Sequence, residues 1–132
     1  MLQEHPQRAE AERQLMDQLP YLLDQGSRAT VLEALRDVCL HRGWGLLAAH
    51  VRTNHVHAIV ETNVRPEKVM NDFKSYASRS LNLSGFGESH RKRWARHGST
   101  RWLWKDEDVR KAIRYVVDEQ GEPMAVFTSQ EI

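Results

Sequence analysis

The stretch Asn54-His55-Val56-His57-Ala58-Ile59-Val60-Glu61 decides how this chain is read. Side chains alternate faces along a strand, so His55 and His57 emerge together on one face, close enough to share a divalent cation. Two ordinary surface histidines are the plainer account of any His-x-His, and the motif alone does not exclude it. Its surroundings shift the balance. Just upstream, Gly45-Leu46-Leu47-Ala48-Ala49-His50-Val51 reads as a short buried strand, and Arg52-Thr53-Asn54 as a tight turn, so the histidine strand, His55 to Glu61, is expected to close an antiparallel hairpin.

Helical patterns flank the hairpin. Ser27 is a plausible N-cap for a helix whose apolar positions are Val31, Leu32, Leu35, Val38 and Cys39, with Gly43 as a left-handed stop after Arg42. Pro66 suits the first turn of a second helix, in which Val69, Met70, Phe73, Tyr76, Ala77, Ser80 and Leu81 form one stripe ending near Leu83-Ser84-Gly85. Ser99 to Trp104 reads as a strand, and a third helix starts at Lys105-Asp106 with an acidic first turn that suits the positive end of its dipole. Gly121 and Pro123 end that helix, and Met124 to Phe127 could add a last strand. The N-terminal segment, residues 1–26, carries a weak helical pattern over Ala9 to Leu19 that stops at Pro20, and is set apart from a domain at 27–132. The fold expected is α+β, an antiparallel sheet of about four strands with helices packed on it, of ferredoxin-like type.

With 132 residues, 40% of them apolar, the chain can bury a core as one compact domain. No run of 18 apolar residues occurs, and the first residues lack the basic start and apolar stretch of a signal peptide, so a soluble cytosolic protein without membrane partners is expected. The single cysteine, Cys39, lies on a helix stripe; it excludes a disulfide framework within one chain and reads as a core thiol. A net charge of +1 hides a segregation of sign. Residues 45–105 carry 11 basic and 4 acidic side chains, whereas 1–44 carry 5 and 7, and 106–132 carry 3 and 7. Within the basic part, His90 to Trp102 contains no acid. Its Arg91, Lys92, Arg93, Arg96 and Arg101, with Lys74 from the second helix, are candidates for phosphate contacts and Trp94 for base stacking, although a solvated basic loop has the same composition.

Taken together, Asn54-His55-Val56-His57-Ala58-Ile59-Val60, the helix segment Phe73-Lys74-Ser75-Tyr76-Ala77, the aromatic Trp102-Leu103-Trp104 and the helix segment Arg114-Tyr115-Val116-Val117 resemble, in order and spacing, the HUH single-tyrosine transposases, which include insertion-sequence and REP-associated tyrosine transposases. The likeness runs from about Ser27 to Gln120. It implies metal-dependent cleavage and rejoining of single-stranded DNA, with a hairpin beside the single strand, through a 5'-phosphotyrosine with a free 3'-hydroxyl. Tyr115 is then the nucleophile, and His55 and His57 hold Mg2+ or Mn2+. A phenol has a pKa near 10 and is a weak nucleophile at neutral pH, which is why a cation on the scissile phosphate helps. Tyr115 lies off the stripe formed by Val109, Ala112, Ile113 and Val116, where a purely packing tyrosine is out of place; Tyr76 lies on its stripe and reads as packing.

The resemblance implies a third ligand, usually an amide four residues after the tyrosine. Here that position is Glu119, about 40° round an ideal helix from Tyr115, while Gln120 is about 140° away, so Glu119 is the better placed and Gln120 the alternative if the helix end turns inward. Family members open with a strand that is not evident in residues 1–26: either Tyr21-Leu22-Leu23 serves, or the chain is shortened, as in a relic or domesticated copy. Thr53 stands where proline is common. The rival readings are a domesticated, catalytically inactive protein that binds single-stranded or hairpin DNA, and a small α+β domain with incidental histidines. A homodimer is left open.

Overall fold

The computed structural model describes residues 8–14, 23–85 and 99–129. Eight elements follow one another: β1 (Arg8–Gln14), α1 (Gln25–Arg42), β2 (Gly45–Val51), β3 (His55–Glu61), α2 (Pro66–Leu83), β4 (Ser99–Leu103), α3 (Asp106–Asp118) and β5 (Ala125–Thr128). The strands form one sheet in the order β4-β1-β3-β2-β5, antiparallel at every pairing. The first six elements are a βαββαβ unit whose strands take the 4-1-3-2 order, so the ferredoxin-like expectation holds. β5, expected over Met124 to Phe127, lies along the outer edge of β2, and β1 brings the sheet to five strands where about four were expected.

Strand alternation divides the interior in two. Val56, Ala58 and Val60 of β3 join Val31, Leu35 and Val38 of α1 and Val69, Phe73, Ala77 and Leu81 of α2 in a core on one face of the sheet. Ile59 points to the other face, where Ala48 and Leu103 meet Val109, Ala112, Ile113 and Val116 of α3. A bulge in β2 between Leu46 and Ala48 shifts the phase, so Leu46, Ala49 and Val51 face α1 and α2 while Ala48 faces α3. Cys39 is in the larger core, its thiol pushed up to about 12 by burial, as an inert core thiol should be.

Helix ends follow their capping chemistry. α1 starts earlier than the Ser27 cap expected from sequence: Asp24 is the N-cap, and its Oδ1 accepts the Ser27 N–H at 2.8 Å. Ser27 itself is buried inside the first turn. Gly43 ends the helix at φ 74°, and the Trp44 N–H reaches back to the Cys39 carbonyl at 2.8 Å, satisfying an orphan acceptor of the last turn. Pro66 opens α2, and Asp106, Glu107 and Asp108 fill the first turn of α3.

The N-terminal expectation is corrected. Residues 8–14 form a strand where the pattern over Ala9 to Leu19 suggested a helix, and this strand lies inside the sheet, between β3 and β4. Alanine and glutamate favour helix locally, but seven residues paired with β3, five of them also with β4, gain more from tertiary pairing than propensity withholds. The opening strand not evident in the sequence is therefore β1. Leu23, one of the residues considered for that role, is a buried core residue outside any strand, its N–H bonded to the Thr53 carbonyl at 2.8 Å.

Burial gives a direct test of this packing. Leu81→Ala, on a side chain with no exposure, is expected to cost about 2–5 kcal/mol in urea denaturation. Leu40→Ala, on the outer side of α1, should stay within about 0.5 kcal/mol of wild type.

Candidate active site

On the α3 face of the sheet, β3 presents His55 and His57 with their rings parallel, 7° between planes and 5.9 Å between centroids. His55 is half-buried and its Nδ1 lies 2.9 Å from Asn54 Oδ1. A carbonyl oxygen only accepts, so Nδ1 carries the proton and the lone pair is left on Nε2, the form in which imidazole binds a metal. His57 is buried; its Nδ1 atom makes no hydrogen bond, while the ring stands edge-on to Tyr115, with centroids 6.1 Å apart and planes at 88°. Tyr115 itself is 42% exposed, beside rather than within the apolar stripe of α3. Two parallel imidazoles and a solvent-facing phenol thus converge from two elements.

A model of the IS200-like transposase family matches residues 20–117, most of the chain and all three of these side chains. The chain belongs to this transposase family. No curated protein matches it. Among solved structures, it is similar to a REP-associated tyrosine transposase bound to a REP hairpin, with a TM-score of 0.66 at 14% identity over 90% of this chain and 72% of that one. It is also similar to a candidate transposase from Deinococcus radiodurans R1, with a TM-score of 0.58 at 16% identity over 91% and 98%. At such identities the structural likeness speaks for the fold.

In this IS200-like transposase the remaining residues singled out from sequence are dispersed. α3 stops at Asp118, so Glu119 is its C-cap, with φ −113° and its N–H still bonded to the Tyr115 carbonyl at 3.2 Å. Gln120 folds back on the helix, its Nε2 donating to the Tyr115 carbonyl at 3.2 Å. Among the described residues no three His, Cys, Asp or Glu side chains are grouped closely enough to hold an ion. Lys74 is half-exposed on α2, the helix that covers the opposite face of the sheet. Arg101 is in β4, paired in register with Glu10 of β1. Arg91, Lys92, Arg93, Trp94 and Arg96 lie outside the described residues. Tyr76 packs against the larger core as expected, near His41 and under the Arg79 guanidinium. No helix among the described residues is long and apolar enough to cross a membrane.

Two residues of this face carry more than their sequence reading gave them. Asn54 sets the tautomer of His55. His50, read only as part of a buried strand, is the cross-strand neighbour of His57 and is fully buried. Its Nε2 accepts the Met124 N–H at 3.0 Å, so its Nδ1 is the protonated nitrogen and donates to the Val116 carbonyl at 2.9 Å. A histidine inside an apolar strand run was the available signal: burial of a polar ring demands partners.

Burial, with the nearby Arg52 charge, holds His50 below its ordinary value of 6.5, against the opposing effect of the Val116 bond. A neutral ring in the fold and an ordinary one in the unfolded chain make its stabilisation complete above pH 6.5 and lost as pH falls below that value, because the unfolded ring takes the proton first. Denaturation midpoints of wild type and His50→Leu, compared between pH 8 and pH 5, should therefore converge as pH falls; a constant gap would show that His50 does not titrate differently in the two states.

Proposed function

We propose that this transposase is a metal-dependent single-stranded DNA endonuclease and strand transferase that works through a 5'-phosphotyrosine. The observation that carries the proposal is the placement of the Tyr115 ring 6.1 Å from His57, on the face where His55 and His57 stack in parallel. His55 and His57 fit a divalent cation by their chemistry: both are on one strand face, one has its tautomer set for an Nε2 lone pair, and the other has a buried ring nitrogen with no hydrogen bond. Such an ion, Mg2+ or Mn2+, would offset the charge that develops on the scissile phosphate.

Tyr115 supplies the attacking oxygen. The phenol gives up its proton as the new bond joins its oxygen to phosphorus, the bond from phosphorus to the 3' oxygen breaks, and that oxygen takes up a proton to leave as a hydroxyl. Since the bond formed and the bond broken are both phosphoester bonds, rejoining needs no nucleotide cofactor. Its exposure gives DNA access to the phenol, and the edge-on contact with His57 keeps it beside the metal-holding pair. Glu119 and Gln120 are the proposed third ligands, Gln120 needing to release the Tyr115 carbonyl before it could serve. The substrate proposed is hairpin DNA with a flanking single strand, in keeping with the REP hairpin held by the similar tyrosine transposase. Arg91, Lys92, Arg93, Arg96, Arg101 and Lys74 are proposed for phosphate contacts, and Trp94 for stacking.

A binding-only protein is the second reading, favoured by the lack of a third imidazole or carboxylate grouped with the pair among the described residues. One assay separates the two. Wild type with Mn2+ and a hairpin oligonucleotide should give a covalent adduct that maps to Tyr115 by mass spectrometry; Tyr115→Phe should give none while keeping its fold and DNA affinity. An adduct at Tyr76, or cleavage by Tyr115→Phe, would overturn the mechanism, and no wild-type adduct would leave the binding protein. In calorimetry, His57→Ala should abolish Mn2+ binding, and Asn54→Ala should weaken it by about 10- to 100-fold through the lost tautomer control.

A further inference from the structure

The last turn of α3 is fastened to β2 by polar contacts that its apolar packing does not need. A helix leaves its last four carbonyls without intrahelical partners, and in α3 these belong to Tyr115, Val116, Val117 and Asp118. The Tyr115 carbonyl receives the Glu119 N–H and the Gln120 amide, each at 3.2 Å. The Val116 carbonyl is taken by a side chain from another element, His50 of β2, which also receives the Met124 N–H from the connection into β5. Two residues on, Arg52 donates to the Glu122 carbonyl at 2.9 Å. Its other terminal nitrogen lies 3.5 Å from where a Cβ on Gly121 would stand, so this connection passes close under the guanidinium.

We propose that His50 and Arg52 are positioning residues for Tyr115, a clamp that fixes the end of the tyrosine helix to the strand paired with the histidine strand. The inference rests on the function proposed above. Its logic is one of levers. Tyr115 is exposed and its ring meets His57 edge-on, while the next residue, Val116, is buried and has its carbonyl bound to His50. His50 is in turn the register partner of His57. The phenol, the clamp and the imidazole are thus linked through one hydrogen bond and one strand pairing. The distance that matters for attack is set by β2, a third element beyond the two that carry the reacting groups.

The test uses the full chain and three variants. His50→Leu removes both bonds; His50→Asn retains an N–H where Nδ1 stands, and so can keep the bond to Val116; Arg52→Met removes the Glu122 contact at an exposed site. With saturating hairpin oligonucleotide and Mn2+, His50→Leu should slow adduct formation by about 100-fold, the loss typical of a misplacement near 1 Å. Arg52→Met should slow it less, and His50→Asn should recover most of the rate. Mn2+ and DNA affinities should stay within twofold of wild type in all three. An unchanged adduct rate in folded His50→Leu overturns the clamp, and so does a matching fall in Mn2+ affinity, which would put His50 to work on the metal pair instead. If His50→Leu does not fold, Arg52→Met decides alone by the same measure. A second readout is independent of catalysis. With 3-fluorotyrosine incorporated and the Tyr115 signal assigned by its loss in Tyr115→Phe, metal-free wild type should give one narrow fluorine resonance, broadened or split in the clamp variants. A wild type that forms no adduct but shows this contrast would sink the proposed function and keep the clamp; identical resonances in every variant would sink the clamp.

Discussion

Strand β3 is hydrogen-bonded on both edges and packed on both faces, and the rest of the molecule is arranged around that confinement. One face gives Val56, Ala58 and Val60 to the core under α1 and α2. The other seats α3 with Ile59 and also presents His55 and His57. Period-2 alternation does both with seven residues, because burial of the apolar set fixes the register and a one-residue slip would send the imidazoles into the larger core. The rigidity of the histidine pair is thus a by-product of core packing on the opposite face.

Much of this was legible from local pattern. The hairpin, the apolar stripes of α2 and α3 and the stop at Gly43 all follow from rules acting within a few residues. β1 was not legible, since Ala9, Glu10, Ala11 and Glu12 favour helix and become strand only through partners some fifty and ninety positions away in sequence. The start of α1 was misread for a related reason: Asp24 and Ser27 are both capable caps, and only the core position of Ser27 decides between them.

At the site, the sequence brought out His55, His57 and Tyr115, and the fold brings them together. The helix end it used to rank Glu119 above Gln120 is a C-cap at Glu119, with Gln120 folded back on the Tyr115 carbonyl. Asn54 and His50 went unassigned because their roles are hydrogen bonds: a histidine in an apolar run shows that partners are needed, but not that one is a backbone carbonyl 66 residues away. Tautomer control and helix fastening belong to three-dimensional structure in a way that hydrophobic periodicity does not.

The bulge in β2 has a consequence for how this chain tolerates change. Leu47 is the extra residue, left out of the pairing, so that Ala48 opposes Ile59, Ala49 opposes Ala58 and His50 opposes His57. Were Leu47 itself paired with Ile59, Ala49 would stand opposite His57 and the imidazole of His50 would turn toward the aliphatic core of α1 and α2. Pairing register is therefore a stricter requirement here than strand composition. Exchanges among small apolar side chains alter packing by increments and loss of Leu47 would only flatten the bulge, whereas a residue inserted between Ala49 and His50 would turn the rest of the strand over and take the His50 imidazole away from the last turn of α3.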